Sequence, residues 1–122
     1  MSRFDVATPR MWRLRSGKIE SSDDGGKKWQ LRTPAKNFEA MKVLAAGVQV
    51  WAGGKAGALF LSRDNGQTWT KISLTGDDVI PLGDVTEIKV TSPLLVEVIL
   101  SSGDVWQSND GGKRFRLSPR KP

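Results

Sequence analysis

The stretch Ser62-Arg63-Asp64-Asn65-Gly66-Gln67-Thr68-Trp69 returns twice more in the chain, as Ser22-Asp23-Asp24-Gly25-Gly26-Lys27-Lys28-Trp29 and as Ser108-Asn109-Asp110-Gly111-Gly112-Lys113-Arg114-Phe115. The common frame is Ser-x-Asp-x-Gly-x-x-aromatic. From serine to serine the intervals are 40 and 46 residues, within the period of about 40–50 residues expected when each repeat is one four-stranded propeller blade. Each position has a reason in turn chemistry. Asp24, Asp64 and Asp110 are suited to accept backbone N–H groups inside a turn, and Gly26, Gly66 and Gly112 to supply positive φ. The hydroxyls of Ser22, Ser62 and Ser108 add a second local hydrogen bond. Trp29, Trp69 and Phe115 are expected to fold back beneath the turn, each burying a large ring.

Outward from these boxes the same order repeats. MWRLRSGKIES, VQVWAGGKAGALFLS and VEVILSSGDVWQS each read as strand, glycine turn, strand, and the boxes are followed by KWQLR, TWTKI and RFRL. A further strand opens each unit at RFDVAT, FEAMKVLAA and VTEIKVTS, so the sequence predicts four strands per unit. Helical repeats of similar length are disfavoured, because the flanks alternate, are rich in Val, Ile, Trp and Thr, and are punctuated by Gly. The expected architecture is all-β: a single propeller module over residues 1–122, with four-stranded antiparallel blades at about 1–37, 38–77 and 78–119. TGDDVIPLGD is the expected inter-blade loop.

The three boxes resemble the Asp-box, or bacterial neuraminidase repeat, and Ser62, Asp64, Gly66, Thr68 and Trp69 fill every defined position of its S-x-D-x-G-x-T-W form. Lys28, Arg114 and Phe115 depart from it. Among Asp-box proteins, the short blades with little loop decoration look most like the photosystem II stability and assembly factor family. That resemblance implies an exported or lumenal, protein-binding propeller without catalytic activity, and it is the ground for expecting an extracytoplasmic location. Sialidases share the box alone. Their chemistry needs a Tyr nucleophile with a carboxylate partner and an Arg triad, and the chain contains no Tyr. The alternative reading is therefore a carbohydrate- or polyanion-binding propeller on a sialidase-like fold.

Composition narrows the chemistry further. Cys and His are absent as well as Tyr, which removes the commonest nucleophiles, general bases and transition-metal ligands. No catalytic residue, cofactor site or metal site is assigned. The turns SDDGG and SNDGG lack the wider ligand set and terminal bidentate Glu of a calcium loop, and WAGGKAGALF lacks the G-K-[ST] of a phosphate loop. No apolar run approaches the roughly 18 residues of a membrane span, and the first residues lack the pattern of a secretory signal.

Net charge is +6, with nine basic against four acidic residues in 1–37, five against seven in 38–102, and five against two in 103–122. A basic surface steers acidic partners without selecting among them. In MWRLRSG, alternation puts Trp12 and Leu14 on one strand face and Arg13 and Arg15 on the other, and Arg32 adds charge nearby. Arg13, Arg15 and Arg32 are the candidate partner-binding residues, for a protein partner that is acidic. Aligned by their glycine turns, the other units carry Gln49 and Trp51, or Ile99 and Ser101, at the Arg13 and Arg15 positions. Nucleic acid is the weaker expectation, since the basic pI comes without RNP, KH or helix-turn-helix signals.

Three blades are fewer than the four to eight that close a propeller. They leave two blade faces without neighbours, so a lone chain is expected to be sticky and a second copy to complete a six-bladed ring as a homodimer. The strand around Phe4 to Ala7 is a candidate to cross into the partner.

Overall fold

The computed structural model describes residues 10–74, 81 and 83–118. Three antiparallel sheets follow one another along the chain. The first contains β1 (Met11–Arg15), β2 (Lys18–Ser22) and β3 (Gln30–Leu31). The central sheet contains β4 (Ala40–Ala46), β5 (Gln49–Gly54), β6 (Leu59–Ser62) and β7 (Thr70–Ile72). The third contains β8 (Val85–Val90), β9 (Val96–Leu100), β10 (Val105–Ser108) and β11 (Arg116–Leu117). In every sheet, strands adjacent in sequence are adjacent in space. Short hairpins enforce this order: β1 and β2, for example, are joined by Ser16 and Gly17 at φ of 53° and 77°, a turn whose twist suits that of the strands.

Each box lies between the last two strands of its sheet. The opening strand expected at RFDVAT lies outside the described residues, as does most of TGDDVIPLGD. Asp84, at the end of that segment, accepts the backbone N–H of Ala56 at 2.9 Å. That contact ties the start of the third sheet to the one-turn 3-10 helix (Lys55–Gly57) between β5 and β6.

The strand residues alternate between two faces, and the faces pack as layers. The larger core joins the central and third sheets, with Trp51, Leu59 and Leu61 against Val85, Ile88, Val98 and Trp106. A smaller one joins the first and central sheets through Ile19, Phe38, Ala40 and Ala52, flanked by half-buried Trp12, Leu14, Val43 and Phe60. The Phe38 and Phe60 rings meet edge to face at 4.8 Å. The central sheet is thus covered on both faces, which explains its near-continuous apolar strands.

The outward faces of the first and third sheets mix charged with apolar side chains, Met11 and Leu31 on the first and Ile99 and Val105 on the third. Pairing across the first sheet sets Arg13 beside Glu20 and Leu31, and Arg15 beside Lys18. Across the third it sets Lys89, Glu97, Gln107 and Arg116 in one row.

Candidate functional site

The three boxes fold into one kind of turn built on the same serine and aspartate hydrogen bonds. In each, the serine hydroxyl donates to the aspartate: Ser22 to Asp24 at 2.8 Å, Ser62 to Asp64 at 2.7 Å and Ser108 to Asp110 at 2.7 Å. The same oxygen accepts the backbone N–H of Gly26, Gly66 or Gly112 at 2.8–2.9 Å. The aspartate then accepts the N–H of Lys28, Thr68 or Arg114 at 2.9, 2.8 and 3.0 Å. Gly26, Gly66 and Gly112 stand at φ of 96°, 89° and 97°. Accepting these N–H and O–H donors favours the ionised carboxylate, so Asp24, Asp64 and Asp110 all fall below the ordinary carboxylate range. Asp64 falls furthest, to about 2, because the Thr68 hydroxyl donates to its second oxygen. Lys28 and Arg114 stand at that position in the other boxes and offer no hydroxyl.

The aromatic positions differ more than the frame suggests. Phe115 is buried, whereas Trp29 and Trp69 are half-buried. Phe115 meets Trp51 edge to face at 6.2 Å, and the indole of Trp29 donates to the carbonyl of Gly26 at 3.1 Å.

A second aromatic, outside the boxes, links one sheet to the next. A Cβ on Gly66 would overlap the ring of Trp12 from the first sheet, and a Cβ on Gly112 would overlap the ring of Trp51 from the central sheet. Gly66 and Gly112 are therefore sockets for a tryptophan of the preceding sheet, and any side chain there would displace the ring, whereas Gly26 meets only Trp29 of its own box, at 3.7 Å. Trp12 and Trp51 occupy one register position, opposite the residue before the box serine, Ser21 and Leu61. The corresponding residue of the third sheet is Glu97, opposite Gln107. Arg10 bridges neighbouring boxes from the side: its guanidinium pairs with Asp23 at 2.6 Å and donates to the carbonyl of Asn65 at 2.7 Å. Sequence reading missed Arg10 and the socket role of the glycines; the shared register of Trp12 and Trp51, counted back from the box serine across the hairpin, was the available signal.

The three candidate arginines do not form one surface. Arg13 lies on the outward face of the first sheet, paired with Glu20 at 2.7 Å and stacked 3.9 Å over the Trp29 ring. Arg15 is exposed on the same face. Arg32 is on the opposite face, donating to Ser21 at 2.9 Å and Gln30 at 2.7 Å. Register also corrects the expected equivalences: the residues matching Arg13 are Ala52 and Val98, opposite Phe60 and Trp106 as Arg13 is opposite Glu20. Elsewhere a cleft of about 860 Å³ opens at the third box, where Lys113, Arg114 and Arg116 line it with Leu95, Gln107 and Asn109. Among the described residues no group of three or more acidic side chains is placed to hold a metal ion, and no helix is long and apolar enough to cross a membrane.

Consecutive antiparallel sheets, each closed by the same turn and locked to the next, define a repeat protein of the propeller class. The sequence pattern of the family described as Photosynthesis system II assembly factor YCF48 matches residues 14–118, and the chain belongs to that family. The photosystem II assembly lipoprotein Ycf48 of Synechococcus sp. (strain CC9902) is 32% identical over 104 residues, covering 82% of this chain and 30% of the relative. Among solved structures, YCF48 from Cyanidioschyzon merolae is 26% identical with a TM-score of 0.73, over 92% of this chain and 34% of that one. YCF48 bound to D1 peptide is 24% identical with a TM-score of 0.74, over 90% of this chain and 37% of that one. The chain thus spans about a third of the length of these relatives.

Proposed function

We propose that this chain is a non-catalytic scaffold of three propeller blades, over about residues 1–37, 38–77 and 78–119, that binds a protein segment during assembly of a larger complex. Membership of the family carries the reading, supported by the solved relative that holds a D1 peptide. In this reading the box residues, Ser22, Asp24, Gly26 and Trp29 with their counterparts, hold turns and touch no partner. A second copy supplies three more blades and closes a six-bladed ring, since each blade must cover its faces with neighbours. Arg13 and Arg15, on an outward face, serve association, and Arg32 braces its own sheet. The lipoprotein relative supports an extracytoplasmic location.

Affinity capture from the source organism, followed by reconstitution with the captured protein once purified, tests the scaffold. A stoichiometric complex with one protein or its peptide is expected. The cleft flanked by Lys113, Arg114 and Arg116 supports a second reading, a polyanion or acidic-glycan binder. Retention on heparin and hits on a glycan array, with no protein complex, would replace the first reading by the second.

A further inference from the structure

The fourth position of every box is left-handed backbone, and two boxes place glycine there, Gly25 at φ 76° and Gly111 at φ 77°. The second box places Asn65 there, at φ 62°, a conformation that Asn tolerates better than most side chains. The exchange creates an Asn-Gly bond, and the chain has no other. Asn37 and Asn109 precede Phe38 and Asp110, whose side chains crowd the amide between them. A glycine amide has no Cβ to shield it, so it is the least hindered nucleophile toward the side-chain carbonyl of a preceding asparagine. The two Asp-Gly bonds, Asp24-Gly25 and Asp110-Gly111, reach the same ring only from the neutral acid, and hydrogen-bond donors of the box hold both carboxylates ionised.

In the folded chain the Asn65-Gly66 peptide plane is pinned at both ends. Its carbonyl accepts from the Arg10 guanidinium at 2.7 Å, and its N–H donates to Ser62 Oγ at 2.8 Å. The Asn65 side-chain amide, half-buried, is held by no hydrogen bond among the described residues. Gly66 is buried and lies so close to the Trp12 ring that a Cβ would overlap it. Ring closure needs a base to remove the Gly66 proton and the nitrogen to turn from Ser62 toward Cγ of Asn65. The indole shuts out the base, and the two pins hold the plane. Trp12 lies on the first sheet, and Arg10, just before it in the chain, is tied to Asp23 of the first box. Parting of the first and central sheets therefore removes the cover and one pin together.

We propose that Asn65 is a deamidation site gated by Trp12 and Arg10, closed while the first sheet is seated and reactive when it parts from the central one. The Gly66 nitrogen then gives its proton to a water-borne base and bonds to Cγ of Asn65. The bond from Cγ to the side-chain nitrogen breaks, and that nitrogen takes a proton from water and leaves as ammonia. Water opens the resulting succinimide to aspartate or isoaspartate. Isoaspartate adds a methylene to the backbone and sets a carboxylate beside Asp64, so the plane no longer fits between Arg10 and Ser62, and Trp12 loses the surface on which it seats. The second box thus keeps an irreversible record of the time the first sheet spends open.

Incubating the purified chain in mildly alkaline buffer, with and without guanidinium, tests the gate. Peptide mapping by mass spectrometry is expected to find the amide at position 65 converted to acid while Asn37 and Asn109 stay intact, and methyl transfer by an isoaspartyl methyltransferase counts the isoaspartate. The folded parent should react at least about tenfold more slowly than the unfolded chain, because only the open fraction reacts. Trp12→Phe, which keeps a ring but uncovers part of Gly66, should react several times faster than the parent, as should Arg10→Gln. Val98→Ala, a cavity in the other junction, should stay at the parent rate although it too lowers stability. Far-UV melts confirm that each variant is folded. An unfolded chain that keeps its amide at Asn65 overturns the site. A folded parent as fast as the unfolded chain overturns the gate, and Val98→Ala as fast as Trp12→Phe shows that global unfolding, and not Trp12, controls the reaction.

Discussion

The junction between the first and central sheets and the junction between the central and third share one lock and differ in what surrounds it. Trp12 sits over Gly66 in the first, and Trp51 over Gly112 in the second. Trp51 is fully buried, backed by Phe115 and by a continuous cluster that runs to Leu100 and Trp106. Trp12 is half-buried, beside a smaller cluster around Ile19 and Phe38. The first junction compensates with polar bridges, Arg10 to Asp23 and Asn65, and the backbone bond from Ala40 to Gly17. Those bridges are cheap to open because water replaces them. The first sheet is therefore the local unit that opens at lowest free energy, while the central and third sheets open together.

Removing the two keys is the strongest way to break that comparison. Trp51→Ala should cost about 3–5 kcal/mol through lost burial and the cavity left behind. Trp12→Ala should cost roughly half as much, since its ring already touches water. Denaturant melts of both variants measure the difference, and equal losses would show that the two junctions are equally dry. Hydrogen exchange on the Trp12 variant should show protection lost over residues 10–32 and kept over 85–117.

Filling the sockets sharpens the same contrast at a smaller scale. Gly112→Ala must both adopt a positive φ and displace the Trp51 ring, costing about 2–4 kcal/mol. Gly26→Ala has the same backbone strain, but the nearest side-chain atom is 3.7 Å away, on Trp29. It should cost only the strain, about 1–2 kcal/mol. A Gly26 variant as damaged as the Gly112 variant would remove the socket from the account and leave backbone conformation alone.

The gentlest test compares the boxes themselves. Asp64 is held at about 2, with the Thr68 hydroxyl as the largest cause. Because that value lies below the ordinary one, its contribution to stability is complete above about pH 4 and is lost as pH falls toward 2. Thr68→Val should raise the Asp64 midpoint to the range of Asp24 and Asp110 and move the onset of acid unfolding to higher pH. Carboxyl NMR titration reads both; an unmoved midpoint would make the backbone N–H groups, and not the hydroxyl, the source of the shift.

Much of this fold could be read from the three boxes, because a turn built from Ser, Asp and Gly at fixed spacing is a local object. So were the strands around it, through alternation. What escaped the sequence was non-local. Arg10 reaches Asn65 across 55 residues, and the Trp12 to Gly66 contact likewise joins residues in separate repeats. The misplaced equivalents of Arg13 have a simple origin: β1 and β2 turn through two residues, whereas β5 and β6 are separated by the 3-10 turn Lys55–Gly57. Aligning on the glycines slips the register, and aligning on the box serines restores it. Phe115 and Trp29 share a sequence position but not an environment, since Phe115 has Trp51 beside it and Trp29 faces outward under Arg13.

The lock between sheets also has a direction, which matters for how such a chain can lengthen. In the first and central sheets the key stands on the strand paired with the one that leads into the box, and at both junctions it reaches forward to the socket in the turn of the following sheet. A tandem copy of the central unit, from about residue 38 to about 77, would arrive with both halves already matched: Trp12 would meet the first copy's Gly66, the first copy's Trp51 the second copy's Gly66, and the second copy's Trp51 would meet Gly112. Gene duplication can thus change the number of repeats without new contacts having to be found, because the key and the socket of the central unit are both preserved in each copy.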